Sequence, residues 1–208
     1  MAASRESREL YWFDPPQRGI IPIEQFHIPK RLCRRLQKCD YRLVIDGDFD
    51  QVVAACAAPR AATQEAASDP ETWINLNLRQ VYQELRERGF AHSIEIWQTD
   101  RLVGGLFGIA IGGAFFGESM FHRATDASKI ALVHLMALLS QAGFCLLDSQ
   151  FLTQHLAQFG ANEIDRDDYQ EKLAAALRVS VVFPSAVDWD YFYRFLASHR
   201  AKLSMNIE

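Results

Sequence analysis

The sequence predicts an α+β fold, a mixed sheet flanked by helices behind a short basic N-terminal part. Three observations carry that prediction. The stretch "HSIEIWQTDRLVGGLFGIAIGGAFFGESMF" holds three short runs of β-forming residues parted by Thr-Asp and Gly-Gly, the pattern of an antiparallel meander. "DASKIALVHLMALLSQAG" follows as a long apolar helix opened by Asp126 and ended by Gly143. "FCLLDSQ" is then a short apolar run, as a central strand requires. A meander followed by helix, strand and helix belongs to the α+β class.

The other elements follow in chain order. "PKRLCRRLQKCDYR" opens with a helix over 30–38, and "YRLVI" (41–45) reads as a strand. "DFDQVVAACAA" reads as a helix with Asp48 as its N-cap, and residues 59–71, Ala-rich and bounded by prolines, as an exposed loop. "LNLRQVYQELRERG" is an amphipathic helix stopped by Gly89. After the central strand, "FLTQHLAQFG" and "DDYQEKLAAAL" read as helices, "VSVVF" (179–183) as a last strand, and "DWDYFYRFLASHRAK" as an aromatic helix covering the core. The chain of 208 residues, 49% hydrophobic, suits one domain over 41–208 behind the basic part at 1–40.

Charge is unevenly spread. Net charge is -4, yet residues 1–42 hold nine Lys/Arg against five Asp/Glu. On a helix, Lys30, Arg31, Arg34, Arg35 and Lys38 share one face while Leu32, Cys33 and Leu36 turn inward. That face is either merely solvated or a phosphate-binding patch. The four cysteines show no CxxC pairing and the histidines no HxxxH spacing, so no metal site is expected. No run is long enough to span a bilayer and the first ten residues lack a signal-peptide core, so a cytoplasmic protein without membrane contact is expected.

One acid stands out. No charge lies between Arg101 and Glu118, and the surroundings are apolar or glycine. A buried carboxylate needs a partner: an ion pair with Arg123 or Lys129, or a group arriving from outside. On a regular strand Glu118 and Met120 share a face, and so do Asp148 and Gln150, with Ser149 opposite. Asp148 could alternatively cap the helix that follows. The element order resembles acetyltransferase-type (GNAT-like) folds, but "HRATDASK" has no glycine to cradle a pyrophosphate, which disfavours an acetyl-CoA enzyme.

"TWIN", "HSIEIW", "LVGGLFG", "FGESMF", "ASKIAL", "LLDSQF" and "HLAQFGANEI" occur in this order at close spacing. Together they resemble the leucyl/phenylalanyl-tRNA–protein transferase family over roughly residues 11–170. The resemblance implies an acetyltransferase-type fold. It also implies transfer of Leu or Phe from Leu-tRNA or Phe-tRNA to the N-terminal amine of proteins that begin with Arg or Lys, which marks them for the N-degron pathway. The ester of aminoacyl-tRNA is already activated, so aminolysis requires no metal, cofactor or covalent intermediate. It requires a positioned amine, oxyanion stabilisation and proton transfer to the ribose oxygen. The resemblance makes Asp148 and Gln150 the catalytic pair. It puts Glu118 and Met120 at the donor pocket with Leu106, Leu135 and Leu147 as further walls, Trp73 against the terminal adenosine, and the basic residues Lys30, Arg31, Arg34, Arg35 and Lys38 against tRNA. A monomer is expected.

The chain also departs from that family. Relatives carry a further N-terminal stretch with a second aromatic for the adenosine, for which Tyr11 or Trp12 could substitute here unless the start is set too far downstream. His122 stands where relatives commonly have Ser, and Leu135 where some have an aromatic. The rival readings are a tRNA- or peptide-binding module of the same fold, inactive or altered through loss of that stretch, a small-molecule acetyltransferase, and a Cys145 hydrolase.

Overall fold

The computed structural model describes residues 13–38, 40–58 and 73–205. Tyr11, Trp12 and the loop expected at 59–71 lie outside the described residues. The meander forms as its turn signals dictate. β3 (Ala91–Gln98), β4 (Arg101–Ile111) and β5 (Ala114–His122) run antiparallel, joined at Thr99 and at Gly112, both with φ near +55° (53° and 55°). α4 (Ala127–Ala142) then crosses over to β6 (Leu146–Gln150), which pairs parallel with β5. Gly143, at φ 84°, closes α4 by donating to the Leu139 carbonyl.

β2 (Arg42–Ile45) pairs with β3 at one edge. β1 (Gln17–Ile20) and β7 (Asn162–Asp165) complete the sheet, whose order is β2-β3-β4-β5-β6-β1-β7. Neither β1 nor β7 was expected from the sequence. Residues 13–36, expected as a part ahead of the main domain, thus supply a strand between β6 and β7 and also α1 (Lys30–Leu36). Leu32, Cys33 and Leu36 of α1 do turn inward.

Adjacent strand residues divide between two cores. Val103, Leu106, Phe115 and Leu147 join α1, α4 and α7 (Trp189–Met205) on one face, with Phe192, Phe195 and Leu196 of α7 buried there. On the other face, Leu102 and Phe107 pack with α2 (Phe49–Cys56) and α3 (Leu76–Glu87). Ala114, Leu146 and Ile20 pack there with α6 (Arg166–Ala176). Asp48 caps α2 as expected, accepting from the Gln51 amide at 3.0 Å.

Three expectations fail. Lys38 lies in the turn beyond α1, because the helix stops at Leu36. The helix read over 151–160 shrinks to α5 (Gln154–Ala157), as β6 runs on to Gln150 and Thr153 supplies the cap. Residues 179–183 form no strand. They cross the α4 face instead of a sheet edge, with Phe183 stacked on His92 at 4.2 Å and against Phe115.

Candidate active site

Strand β5 is irregular where it carries its acid. Phe107 opposes Ser119 and Gly108 opposes Gly117, so Glu118 is the extra residue of a β-bulge. Gly108 permits this, since a Cβ there would meet the Phe116 carbonyl oxygen at 2.3 Å. The bulge breaks the alternation. Met120 packs toward the α4 core, whereas the Glu118 carboxylate turns to the opposite face and accepts from the Tyr82 hydroxyl at 2.8 Å. Glu118 and Met120 therefore do not share a strand face.

Nor does Glu118 pair with either proposed cation. Lys129 reaches Asp126 at 3.6 Å, and Arg123 donates to the Leu102 carbonyl and lies over the Phe121 ring. Burial raises the Glu118 pKa, opposed by hydrogen bonds from Tyr82 and Gln150 and reinforced by the nearby charge of Asp148. Burial and the Glu118 charge push the Tyr82 hydroxyl well above its ordinary value, which keeps it a donor.

Asp148 sits deeper, at 0% exposure. Arg18 of β1 grips it through Nε, 3.1 Å from each oxygen, and Nη2, 2.8 Å from Oδ2. The Tyr169 hydroxyl of α6 donates to Oδ2 at 2.6 Å, and the Gln150 backbone N–H to Oδ1 at 2.7 Å. Asp148 caps no helix, since the α5 cap is Thr153. Burial tends to lower the Arg18 pKa, but the Asp148 hydrogen bonds and charge prevail and hold it above its ordinary value. Tyr169 is raised by burial and then by Asp148.

Gln150 ends β6 in the left-handed region, φ 66°, and its Nε2 donates to the Gly117 carbonyl at 3.1 Å. Parallel pairing of β5 and β6 stops at Phe116 and Asp148 although both strands continue. The Gln150 side-chain amide thus bridges the place where they part, beside Glu118. The product is a polar seam between the two apolar clusters of one sheet face. It carries two carboxylates, each held by a tyrosine hydroxyl.

The remaining expected residues lie around this seam. Trp73 is half-buried against the cluster that contains Tyr82. Leu106, Leu135 and Leu147 are buried in the α4-side core with Met120 against them, on the far face from the Glu118 carboxylate. Lys30, Arg31, Arg34 and Lys38 are exposed. Arg35 is half-buried, donating to the Tyr41 hydroxyl at 3.2 Å and lying 3.7 Å from Asp126. A groove of about 330 Å³ is lined by Arg31, Arg34, Arg35, Lys38, Asp40 and Tyr41. Among the described residues no cluster of three or more His, Cys, Asp or Glu is arranged to hold a metal, and no helix is long and apolar enough to cross a membrane.

Sequence reasoning missed Arg18, Tyr169 and Tyr82. Tyr82 had a signal, since it lies on the apolar stripe of its amphipathic helix with a hydroxyl that needs a partner. Arg18 and Tyr169 had none, because the strand that delivers Arg18 was itself unseen.

The class of protein this site belongs to is an aminoacyltransferase. A family model described as Leucyl/phenylalanyl-tRNA protein transferase matches residues 20–174, and the chain belongs to that family. The protein of that name from Paramagnetospirillum magneticum is 52% identical over 193 residues, covering 91% of this chain and 89% of its own. Those from Phenylobacterium zucineum and Hyphomonas neptunium are also 52% identical, covering 88% and 90% of this chain and 80% and 70% of theirs. Among solved structures, that of L-PGS from Bacillus licheniformis aligns with a TM-score of 0.43 at 10% identity, over 91% of this chain and 66% of that one.

Proposed function

We propose that the protein transfers Leu or Phe from aminoacyl-tRNA to the N-terminal amine of proteins that begin with Arg or Lys, in an N-degron pathway. The observation that carries this reading is the pair of carboxylates, Glu118 and Asp148, flanking the Gln150 amide where β5 and β6 part. A parallel central pair that opens at the site is the reason to read the sheet as acetyltransferase-type.

The chemistry is direct aminolysis. The acceptor nitrogen attacks the ester carbonyl, a C–N bond forms, the bond to the ribose oxygen breaks, and the amine's proton passes to that oxygen. Glu118 offers a carboxylate to an amino group, while Gln150, fixed by Asp148, orients the reacting carbonyl. On this reading the donor side chain lodges against Met120, Leu106, Leu135 and Leu147, which the free protein packs in the α4-side core, so that core must open to admit it. Trp73 stacks on the terminal adenosine, which contributes about 1–3 kcal/mol. Lys30, Arg31, Arg34, Arg35 and Lys38 meet the tRNA backbone. The protein acts in the cytoplasm as a monomer.

The test is transfer of radiolabelled Leu or Phe from charged tRNA to a reporter protein with N-terminal Arg. Wild type is expected to transfer, and Asp148→Ala and Glu118→Ala to lose roughly a hundredfold or more in rate. Absence of transfer by wild type, with tRNA binding retained, would leave only a binding module.

A further inference from the structure

Arg18 and Tyr169 have a consequence beyond holding a buried charge. We infer that they are positioning residues for the transfer step: they lock the Asp148 carboxylate, which fixes Gln150 in the conformation that bridges β5 and β6. This rests on the reading of Gln150 as the group that orients the ester.

The argument starts from what Asp148 can still do. Its two oxygens receive Arg18 Nε and Nη2, the Tyr169 hydroxyl and the Gln150 backbone N–H, and the residue is 0% exposed. A carboxylate so occupied is poorly placed to take a proton from an incoming amine. Stability alone does not account for the arrangement either, because a buried ion pair recovers little more than its desolvation cost and an apolar trio would pack as well. What the cluster does produce is a specific backbone. Asp148 Oδ1 holds the Gln150 amide at 2.7 Å while Gln150 takes φ 66°, a region that non-glycine residues occupy only when the surroundings over-determine it.

The two anchors come from different elements and brace each other. The Arg18 guanidinium lies 5.2 Å from the centre of the Tyr169 ring. β1 adds a second constraint: Gly19 pairs with Gln150, and a Cβ on Gly19 would meet the Phe151 carbonyl carbon at 2.5 Å. The strand that delivers Arg18 therefore also presses on the backbone just past Gln150. From that backbone the Gln150 side chain reaches the Gly117 carbonyl next to Glu118.

The test measures kcat, KM for each substrate and melting temperature for Tyr169→Phe, Arg18→Lys, Gln150→Ala and the double variant Tyr169→Phe/Gln150→Ala. Tyr169→Phe deletes one hydrogen bond to a charged acceptor and is expected to lower kcat about tenfold with both KM values unchanged. Arg18→Lys keeps the charge, loses the planar fork and is expected to lower kcat at least as far. In the Gln150→Ala background, Tyr169→Phe should have no further effect, because the path runs through Gln150. Full kcat in both single variants, a rise in KM instead of a fall in kcat, or independent losses in the double variant would overturn the inference. Full activity of Gln150→Ala would overturn the site reading beneath it. A crippled Gln150→Ala beside unaffected Tyr169→Phe and Arg18→Lys would overturn this inference alone.

Discussion

Glu118 and Asp148 lie on the same sheet face, yet their surroundings treat them differently. Asp148 has an arginine, a tyrosine and a backbone amide, whereas Glu118 has the Tyr82 hydroxyl and the Gln150 side chain but, among the described residues, no cation within ion-pair distance. Burial accordingly raises the Glu118 pKa. The folded state holds this proton more tightly than the unfolded chain, so the cost of the charged form is absent below the ordinary carboxylate range. It is fully present once pH exceeds the raised folded value. Glu118→Gln carries no charge at any pH. Its melting temperature relative to wild type is therefore expected to be higher at about pH 8 than at about pH 4. A difference that stays constant between the two would mean that Glu118 is not strained by its charge. An amino group arriving from solvent would relieve the same cost, which ties the residue's instability to its proposed use.

At the level of elements, the contact between α4 and α7 has its own pH signature. His134 of α4 is buried, stacked on Phe192 at 4.0 Å with the Trp189 edge nearby, and its Nδ1 has no hydrogen-bond partner among the described residues. Burial lowers its pKa to about 3. The unfolded chain thus binds this proton more readily, and stability falls as pH drops from the ordinary histidine range toward that value. His134→Phe keeps an aromatic ring in the stack, so its free energy of unfolding should fall less steeply than wild type's between about pH 6.5 and 4, the two diverging by a few kcal/mol over that range. Parallel pH dependences would show that the folded protein binds this proton as readily as the unfolded chain. α4 itself was legible in the sequence because a long apolar run between Asp126 and Gly143 has one reading. β1 and β7 were not, since "QRGI" and "NEID" are short and largely polar, and only their neighbours in the sheet make them strands. The bulge at Glu118 was equally hidden. Period-two alternation assigns faces correctly only while pairing is regular, and one extra residue moved this carboxylate to the other side.

Over the whole molecule, charge is segregated: the chain carries -4 overall, while residues 1–42 carry nine basic and five acidic residues. The sequence made that patch legible, but it could not reveal how unequally its members are committed. Arg35 is engaged by Asp126 and Tyr41, so part of its role is to hold α1 against the segment leading into α4. Arg31, Arg34 and Lys38 are exposed and line the groove, whereas Lys30 is exposed but outside it. If the groove receives a phosphate backbone, each contact releases counterions and adds to the salt dependence of binding. Arg31→Gln, Arg34→Gln and Lys38→Gln are each expected to weaken tRNA binding at low salt and to reduce the slope of log affinity against log salt by about 1. Lys30→Gln should change that slope less, and Arg35→Gln should also lower the melting temperature. Binding measured at several salt concentrations decides the matter. A triple Arg31, Arg34 and Lys38 variant with the wild-type slope would place the tRNA backbone on some other surface of this acidic protein.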